Sequence, residues 1–451
     1  MLRKSIYTLI FCNSILFLSS CRDDYDYPML ENTLKVSSDT ISVDTVYNFS
    51  KSETYVLKLY NQDDKDLTIP ELKLNKGDLS YFNIIVDGKS GTNFRNIPIR
   101  KKDSLYVFIE IDAKQAFANP LYEDEIVINT NQKSQQVKLL SWIEKAKIHT
   151  KNEVLSNETW TKDEAHVIDE NLTITNLIVE EGTSVYFKKN ASLTIANGGK
   201  LEVKGALGKE AKFRSARHDK KYDSIPNQWN KISLSPNSKS DINYAKIIGG
   251  DTGLEVINAK LNIQNSYIVN HQSYGILANN ADITGSNLIL NNTNISALAI
   301  ENGGSYEFYH STFANFFNLV GTAGNSHSLK IDNNNGALHK AIFGNCIFYN
   351  LRSANALEFT KNSTFPFNIN FDTNMFKNGN ISTLNVLTET GFSKSIVGNP
   401  DFFNPDYKSN KLRVKEGSKA LNAGNIDIAR KFPLDYYGKN RISNPTLGAI
   451  Q

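Results

Sequence analysis

A short sequence pattern that returns along the second half of the chain constrains the fold more than any other feature. It begins at positions 244, 265, 286 and 310 as YAKIIG, NSYIVN, SNLILN and HSTFAN, then returns as NCIFYN and TNMFKN at 345 and 373. The first spacings of 21, 21 and 24 residues are typical of repeats that stack into solenoids. The short apolar bursts, bounded by Gly and Asn, lack the 3.6-residue period of amphipathic helices. The sequence therefore predicts a parallel β-helix, with loops inserted at the longer spacings of 35 and 28 residues.

Two positions of this pattern have predictable roles. In a parallel stack each residue lies roughly 4.8 Å from its equivalent in the next coil, so equivalent side chains meet. We expect the fourth position to point inward and the sixth to form hydrogen-bonded asparagine ladders. The predicted inward residues are Ile247, Ile268, Ile289, Phe313, Phe348 and Phe376, and the predicted ladder residues are Asn270, Asn291, Asn315, Asn350 and Asn378.

Residues 34–145 have a different pattern, typical of an antiparallel β-sandwich. Segments such as TYVLKLYN, DSLYVFIEID and QVKLLSWIE alternate apolar and polar residues, and clusters such as NQDDKD separate them. Six or seven short strands over this length predict a sandwich, although the Cys…Trp…Cys arrangement of antibody domains is absent from the sequence. The stretch LKLYNQDDKDLTIPELKL resembles the Ig-like modules near the anchors of bacterial surface proteins. That resemblance implies a spacer, with carbohydrate binding as the alternative.

The N-terminus is typical of a secretory signal. Arg3 and Lys4 precede an apolar stretch, residues 6–18, that is too short to span a bilayer. The tetrad LSSC resembles the lipobox of bacterial lipoproteins, in which the cysteine is acylated and becomes the new N-terminus. We therefore expect a signal peptide over residues 1–20 and lipid attachment at Cys21; an ordinary cleaved signal is the alternative.

The residues that follow Cys21 predict where in the cell the protein is located. CRDDYD resembles the acidic export signal that Bacteroidota lipoproteins carry after the anchor cysteine. The resemblance implies an acylated tether over residues 21–33 that holds the chain on the outer face of the cell outer membrane. A solvated acidic linker is the alternative interpretation of such a short charged run.

The repeat region also resembles a known superfamily. QWNKISLSPNSKSDINYAKIIGGDTGLEV, at 228–256, is similar to a common coil of the right-handed parallel β-helix proteins of the pectin-lyase-like superfamily. The C-terminal residues resemble the closing segment of secreted members, with Asp435, Gly438 and Arg441 matching an Asp–x–x–Gly–x–x–Arg phrase. We expect an all-β chain with a right-handed parallel β-helix over 146–400. Residues 401–451 are expected to cap its last coil, whose strand edges would otherwise be exposed.

The superfamily includes polysaccharide lyases and hydrolases, but their chemistry is hard to find here. A calcium-dependent lyase needs clustered carboxylates and a basic residue, and a hydrolase needs two or three aspartates facing one sugar. The repeat region has no arginine between Arg217 and Arg352, no Asp-Asp pair and no Gly-His-Gly phrase. The sequence therefore predicts neither a metal site nor a cofactor.

Two groups of residues remain as candidates. The loop RSARHDKKYDS, at 214–224, gathers the densest set of acid and base groups near the repeats, and a solvated charge run is the alternative. Its candidate catalytic residues are Arg217, His218, Asp219 and Lys220. YEFYHSTFANFF, at 306–317, offers aromatic residues for sugar stacking, unless they form an interior stack. Its candidate binding residues are Tyr306, Phe308 and Tyr309, with Tyr309 on the opposite face from the other two.

The balance of basic and acidic residues bears on which partners the chain could bind. Removing residues 1–20 leaves 48 basic residues against 47 acidic ones, so no net positive charge favours a nucleic-acid partner. Cys346, between apolar neighbours, is expected to be a buried, inert thiol. We expect a non-catalytic surface lipoprotein whose β-helix binds glycans or partner proteins, since solenoid faces suit repetitive polymers. The alternatives are a polysaccharide lyase or glycoside hydrolase, and a purely architectural element of a surface complex.

Overall fold

The computed structural model describes residues 27–117, 119–218, 220–319, 326–379 and 392–451. These residues form two compact units. Unit 1 extends to residue 143 without 115–117, and unit 2 consists of 115–117 and 144–451. In this part of the chain nearly all regular structure is β-strand, and no helix has the length and apolar character needed to cross a membrane. The lipidation candidate Cys21 lies outside the described residues.

The first strands of the chain form two sheets. One sheet has the order β1-β4-β9-β6-β7; in the other, β2-β11-β10-β5-β8, strand β3 also pairs with β11. All pairings given by register are antiparallel except that of β2 with β11. The strands are β1 (Lys35–Val36), β2 (Thr40–Ser42), β3 (Val46–Tyr47), β4 (Tyr55–Tyr60), β5 (Leu67–Leu74), β6 (Phe82–Val86), β7 (Lys89–Gly91), β8 (Asn93–Ile99), β9 (Ser104–Ile111), β10 (Leu121–Asn129) and β11 (Ser134–Glu144), with a 3-10 turn at Gly77–Leu79.

Buried and exposed residues alternate along these strands, so one face of each strand lies in the core. On β9, Val107, Ile109 and Ile111 are fully buried, whereas Tyr106 and Phe108, which alternate with them, are exposed. This is the two-residue period of a strand with one face in a core. The six-stranded sheet follows the same rule on β10 and β11, so unit 1 has a hydrophobic core of its own. The largely antiparallel strands predicted for this region are present.

Unit 2 continues with strands that pair in parallel. They are β12 (Ala146–His149), β13 (Glu153–Trp160), β14 (Ala165–Ile168), β15 (Asn171–Glu180), β16 (Ser184–Phe187), β17 (Ser192–Lys204), β18 (Ala211–Ser215), β19 (Ile232–Leu234), β20 (Lys239–Asn243), β21 (Ala245–Ile248), β22 (Thr252–Ile257), β23 (Lys260–Gln264), β24 (Tyr267–His271), β25 (Tyr274–Ser286), β26 (Ile289–Thr293), β27 (Ser296–Tyr309), β28 (Thr312–Asn315), β29 (His327–Asp332), β30 (Leu338–Gly344), β31 (Ile347–Asn350), β32 (Leu357–Thr360), β33 (Phe367–Asp372), β34 (Met375–Phe376), β35 (Phe392–Ser393) and β36 (Ile396–Val397), with a 3-10 turn at Lys220–Ser224.

These strands are divided between two long sheets. The first long sheet has the order β12-β14-β16-β18-β21-β24-β26-β28-β31-β34-β36, and the second is built on β13-β15-β17-β19-β22-β25-β27-β30-β33-β35. Strands β20, β23, β29 and β32 add to the second long sheet. The chain passes repeatedly from one sheet to the other, and each strand pairs in parallel with a strand about one repeat later, as β21 with β24. The all-β, parallel-stranded organisation predicted from the repeats is confirmed.

The register of the first long sheet defines an inward column of apolar side chains. Ile247 pairs with Ile268, Ile268 with Leu290, and Leu290 with Phe313. The column continues through Phe348 and Phe376, and its members belong to one large buried cluster. The prediction was therefore right for five of its six inward residues, and wrong for Ile289.

Ile289 points outward because the third repeat is out of frame by one residue. Its register partners are Tyr267 and Thr312, and it belongs to a separate buried cluster on the outer side of the sheet. A shift of one residue transfers a strand side chain to the opposite face. Leu290 fills the interior position that the sequence pattern assigned to its neighbour.

Asparagine ladders are present, mainly in a different column from the predicted one. Asn265 donates to Asn243 and Asn287 donates to Asn265, each at 2.8 Å between side-chain atoms. Asn265 and Asn287 have positive φ angles of 48° and 54°, a backbone conformation that asparagine tolerates better than most residues. In the predicted column, Asn270 accepts from Asn292 at 3.1 Å, whereas Asn291 donates to the Pro405 carbonyl at 2.8 Å. The sixth-position asparagines therefore serve mainly to bind neighbouring segments.

The tail, residues 401–451, lies along the outer face of the first long sheet. It contains β37 (Phe402–Asn404), β38 (Lys411–Val414) and the short helix α1 (Ile426–Lys431). Hydrogen bonds tie it to the middle of the sheet: Asn287 Nδ2 donates to the Leu434 carbonyl at 3.0 Å, and Ala449 N donates to Thr312 Oγ1 at 3.0 Å. The expectation that the tail caps the last coil is thus corrected. It covers a lateral apolar surface that includes Ile289, Ile347 and Met375.

Candidate functional site

A groove lies where the tail meets the outer face of the first long sheet. Its volume is about 700 Å³. The sheet contributes Ile289, Tyr267, Lys246 and the neighbouring Glu210. The tail contributes Phe403, Ser409, Asn410, Lys411, Leu412, Arg413, Tyr436, Tyr437 and Ile450. All of these residues belong to unit 2, so the groove is formed within one compact body.

The sheet side of the groove follows from one outward column. Register places Lys246 beside Tyr267 and Tyr267 beside Ile289. The column is therefore cationic at one end and apolar at the other, with a tyrosine between. The tail buries the apolar end, because Ile289 packs with tail residues such as Tyr436 and Ile450. The groove lies where the apolar contact between the tail and the sheet ends and polar side chains begin.

Aromatic residues of the tail form its rim and one wall. Phe403 and Tyr437 are 62% and 58% exposed, while Tyr436 is 3% exposed. The Tyr436 and Tyr437 rings meet edge to face, with centroids 5.1 Å apart. The Tyr436 hydroxyl is buried and has no hydrogen-bond partner among the described residues. Burial raises its pKa and the nearby Glu210 carboxylate acts in the same direction, so the hydroxyl remains a proton donor at neutral pH.

Charged groups of both signs line the groove. Lys246 Nζ lies 3.2 Å from Glu210 Oε1. Burial acts to raise the pKa of the Glu210 carboxyl, but hydrogen bonds from backbone groups and Lys246 outweigh it and hold the pKa below its ordinary value. Lys411 and Arg413 alternate with buried Leu412 and Val414 on β38, and are exposed. A hydrophobic row thus anchors β38 to the sheet while its two cations face outward.

A polar clamp fixes the tail beside the groove. Asn291 and Asn292 both donate to the Asn410 side-chain oxygen, at 2.9 and 2.7 Å. Asn410 in turn donates to the Tyr407 carbonyl at 3.0 Å. All three asparagine side chains are buried, where an unmade hydrogen bond would be costly. The clamp holds the backbone that presents Lys411 and Arg413.

The loop at 214–224 gathers some of the predicted groups around a partly buried ion pair. Arg214 Nε lies 2.8 Å from Asp223 Oδ1. His218 Nε2 lies 4.0 Å from Glu144 Oε2, and burial together with Arg214 lowers the pKa of His218 to about 4. Burial raises the pKa values of the Glu144 and Asp223 carboxyls. Sequence reasoning did not anticipate Glu144, which is distant in sequence and had no local signal.

The other predicted members of this loop lie outside that cluster. Arg217 is exposed, with its guanidinium 4.6 Å from the centroid of the Tyr222 ring. Lys220 is exposed at the start of the 3-10 turn, and Asp219 lies outside the described residues. The proposed catalytic set is therefore not brought together as a unit in the described part of the loop.

The aromatic candidates prove to be core residues. Tyr306 and Phe308 are fully buried, which excludes them from stacking on a sugar and corrects their assignment as binding residues. Phe308 stacks on Phe343 with ring centroids 5.7 Å apart, and Tyr306 donates to the Gly303 carbonyl at 2.9 Å. Large rings fill the interior because they bury the most apolar area.

Tyr309 points to the opposite face from Tyr306 and Phe308, as alternation predicts. It is half-buried, and its ring stacks on Phe432 of the tail with centroids 4.9 Å apart. Its hydroxyl donates to Glu307 at 2.8 Å. Tyr309 therefore helps to hold the tail and does not present a free aromatic face.

Two further predictions concern reactivity. Cys346 is a buried free thiol whose pKa is raised to about 12 by burial, so the prediction of an inert thiol is confirmed. Among the described residues, no group of three or more His, Cys, Asp or Glu side chains could hold a metal ion.

The comparisons with known proteins add little. No family model matches the sequence, and no curated protein matches it. One solved structure with partial similarity is a family 123 glycoside hydrolase from Clostridium perfringens, analysed for glycolipid glycan hydrolysis. The similarity spans 26% of this chain and 26% of that one, at 11% identity and a TM-score of 0.18. We draw nothing about fold or activity from a similarity of this size.

Proposed function

We propose that this chain is a cell-surface lipoprotein that binds glycans without cleaving them. In this proposal Cys21 carries the lipid anchor in the outer membrane, and unit 1 is an Ig-like β-sandwich that serves as a spacer. The parallel strands of unit 2 form a right-handed β-helix that presents the groove to the extracellular side. Partner proteins are the alternative ligands of the same surface.

One observation carries the glycan assignment. Phe403 and Tyr437 expose aromatic faces at the rim of a groove that Ser409, Lys411 and Arg413 also line. Carbohydrate rings stack on exposed aromatic faces, and their hydroxyls form hydrogen bonds with polar side chains. A concave site with a few convergent polar groups is typical of small-ligand recognition.

The groove also lacks what glycoside cleavage requires. Glycosidases use two carboxyl groups on either side of the scissile bond, about 5 to 10 Å apart. Glu210 is the sole carboxylate among the described residues that line the groove, and it is paired with Lys246. A binding role therefore fits this site better than hydrolysis does.

A second candidate is a lyase or hydrolase centred on the 214–224 loop. The observation that favours it is the cluster in which His218 Nε2 lies 4.0 Å from Glu144 Oε2 and Arg214 Nε lies 2.8 Å from Asp223 Oδ1. Burial raises the pKa of both carboxyls, and a carboxyl that keeps its proton to higher pH suits general acid catalysis. Cleavage would release unsaturated or reducing sugar ends, and Asp223→Asn would abolish that release.

A polysaccharide panel tests the proposed function. The chain from residue 22 onward is expected to bind at least one glycan without releasing new sugar ends. Tyr437→Ala and Phe403→Ala each remove an exposed ring, and we expect each to weaken binding about tenfold, in the range of one lost aromatic contact.

Phe49→Ala is the matched control, because Phe49 is a 72% exposed aromatic residue of unit 1, outside the groove. Equal binding by all three variants would contradict the groove as the site. Release of sugar ends from any polymer would contradict the non-catalytic assignment.

A further inference from the structure

We propose that the groove selects glycans that carry a negative charge, as a carboxylate or a sulfate, over neutral glycans. This inference rests on the proposed function and names the ligand class of the same site. It follows from the charges that line the groove and from the way each one is satisfied.

Within the described residues, the positive charges on the tail side of the groove form no ion pair. Lys411 and Arg413 line the groove, and within the described residues neither forms an ion pair with a carboxylate. They are two residues apart on β38, so both side chains leave the same face of the strand. Burial of Leu412 and Val414 on the other face fixes that orientation. Two exposed cations thus lie side by side in the lining of the groove.

The carboxylates near the groove have protein partners. Glu210 is paired with Lys246 at 3.2 Å. Asp435, behind the aromatic wall, is buried and accepts hydrogen bonds from the backbone N–H groups of Tyr437, Lys439 and Gln451. Three cations, Lys246, Lys411 and Arg413, line the groove against one carboxylate, Glu210, so the described lining has an excess of positive charge.

The lining of the groove favours an anionic sugar over a free inorganic anion. The exposed faces of Phe403 and Tyr437 favour an extended ligand with ring surface. A small inorganic ion would contact only the two cations. An acidic saccharide can contact both the aromatic rim and the two cations.

Two matched pairs of polymers test the inference on the chain from residue 22 onward. The first pair is hyaluronan and carboxyl-reduced hyaluronan, which differ in the carboxylate. The second pair is dextran sulfate and dextran, which differ in the sulfate. We expect at least one anionic member to bind about tenfold or more tightly than its neutral partner, with a Kd that rises steeply with NaCl concentration.

Three substitutions on one stretch of the tail identify the responsible charges. Lys411→Gln and Arg413→Gln are each expected to weaken anionic binding about threefold, and the double variant about tenfold, as for partly exposed charge pairs. Lys415→Gln is the control, because Lys415 is exposed two residues beyond Arg413 and does not line the groove. The three substitutions remove one charge each and are expected to leave the thermal unfolding midpoint unchanged.

The outcomes separate the two proposals. Equal affinity for the charged and neutral members of both pairs would overturn the charge selectivity and leave glycan binding intact. Equal losses in all three single variants would also overturn it, because general attraction to a basic surface would then explain the affinity. If no polymer binds, the glycan-binding function fails and the inference fails with it.

Discussion

His149 and His166 lie together in the first turns of unit 2. His149 Nδ1 lies 3.1 Å from Glu153 Oε2, and its Nε2 lies 3.0 Å from His166 Nδ1. The His166 ring stacks on Trp160 with centroids 4.1 Å apart. Burial lowers the pKa of His149, and burial followed by the His149 charge lowers the pKa of His166 to about 3. In the folded chain His166 therefore remains unprotonated well below neutral pH.

This pair makes stability depend on pH. An unfolded histidine takes up a proton near pH 6.5, whereas folded His166 does so only near pH 3. Between these values the unfolded state binds more protons, so the free energy of unfolding falls as the pH falls. From pH 7.5 to 5 we expect His166 to account for a loss of about 2 kcal/mol, measured by urea denaturation at each pH.

His166→Gln removes the titrating ring and is expected to reduce that loss, although it lowers the stability at pH 7.5. His339→Gln is the control, because His339 is an exposed histidine of the same unit. The same slope with pH in His166→Gln and in the unsubstituted protein would refute this account.

At the scale of elements, a buried arginine connects the tail to the sheet. Arg441 is 1% exposed, and its guanidinium donates to Asn287 Oδ1 at 2.9 Å and to the Leu434 carbonyl at 3.1 Å. Further bonds reach the carbonyls of Gly448 and Ala449 at 3.3 and 3.4 Å. Burial lowers its pKa to about 10, so it remains charged at neutral pH. One side chain thus satisfies acceptors from both the sheet and the turns around it.

Arg441→Met is expected to destabilise the chain by about 3 kcal/mol, because it removes all four of these bonds and leaves the buried Asn287 Oδ1 without its donor. Since the same turn presents Tyr436 and Tyr437, glycan binding should be lost as well. Urea denaturation and limited proteolysis of the tail measure the effect. Arg430→Met is the control: Arg430 pairs with Asp427 at the surface of α1, with its side chain 62% exposed, and its loss should cost less than about 1 kcal/mol. A similar small effect at both positions would show that Arg441 is not an anchor.

The element scale also shows what a single sequence can determine. Apolar bursts at regular spacing were enough to predict parallel stacked strands, because a stack repeats the same burial at every turn. They misplaced Ile289, since two adjacent apolar residues, Ile289 and Leu290, fit the pattern in either frame. The backbone register decides which of the two residues points inward. It depends on pairing with neighbouring strands and cannot be predicted from the local sequence.

At the scale of the whole molecule, the groove was even harder to predict from the sequence than the strand register. Asn291 and Asn410, which meet in the clamp beside it, are 119 residues apart in sequence. Neither the sheet nor the tail contains a motif for the site, since each supplies only part of the lining. One signal was available: the outward third position of the repeats changes from Lys246 through Tyr267 to the apolar Ile347 and Met375. An apolar outer face on a stacked sheet implies a cover, and the tail was the segment left to provide it.

The proposed location depends on residues 21–24, which the structure does not describe, and is testable on whole cells. If Cys21 carries the lipid, Cys21→Ser should abolish incorporation of an alkyne-labelled fatty acid and move the protein out of the membrane fraction. Cys12→Ser is the matched control, because Cys12 lies within the predicted signal peptide and should not affect labelling.

Export to the surface has a separate determinant in this proposal. Replacing Asp23 and Asp24 by Asn removes two charges next to the anchor but keeps the thiol. We expect this variant to incorporate the fatty acid normally while becoming inaccessible to protease added to intact cells. If the unsubstituted protein is itself protected from that protease, the chain faces the periplasm, and a groove for extracellular glycans would have no access to its ligand.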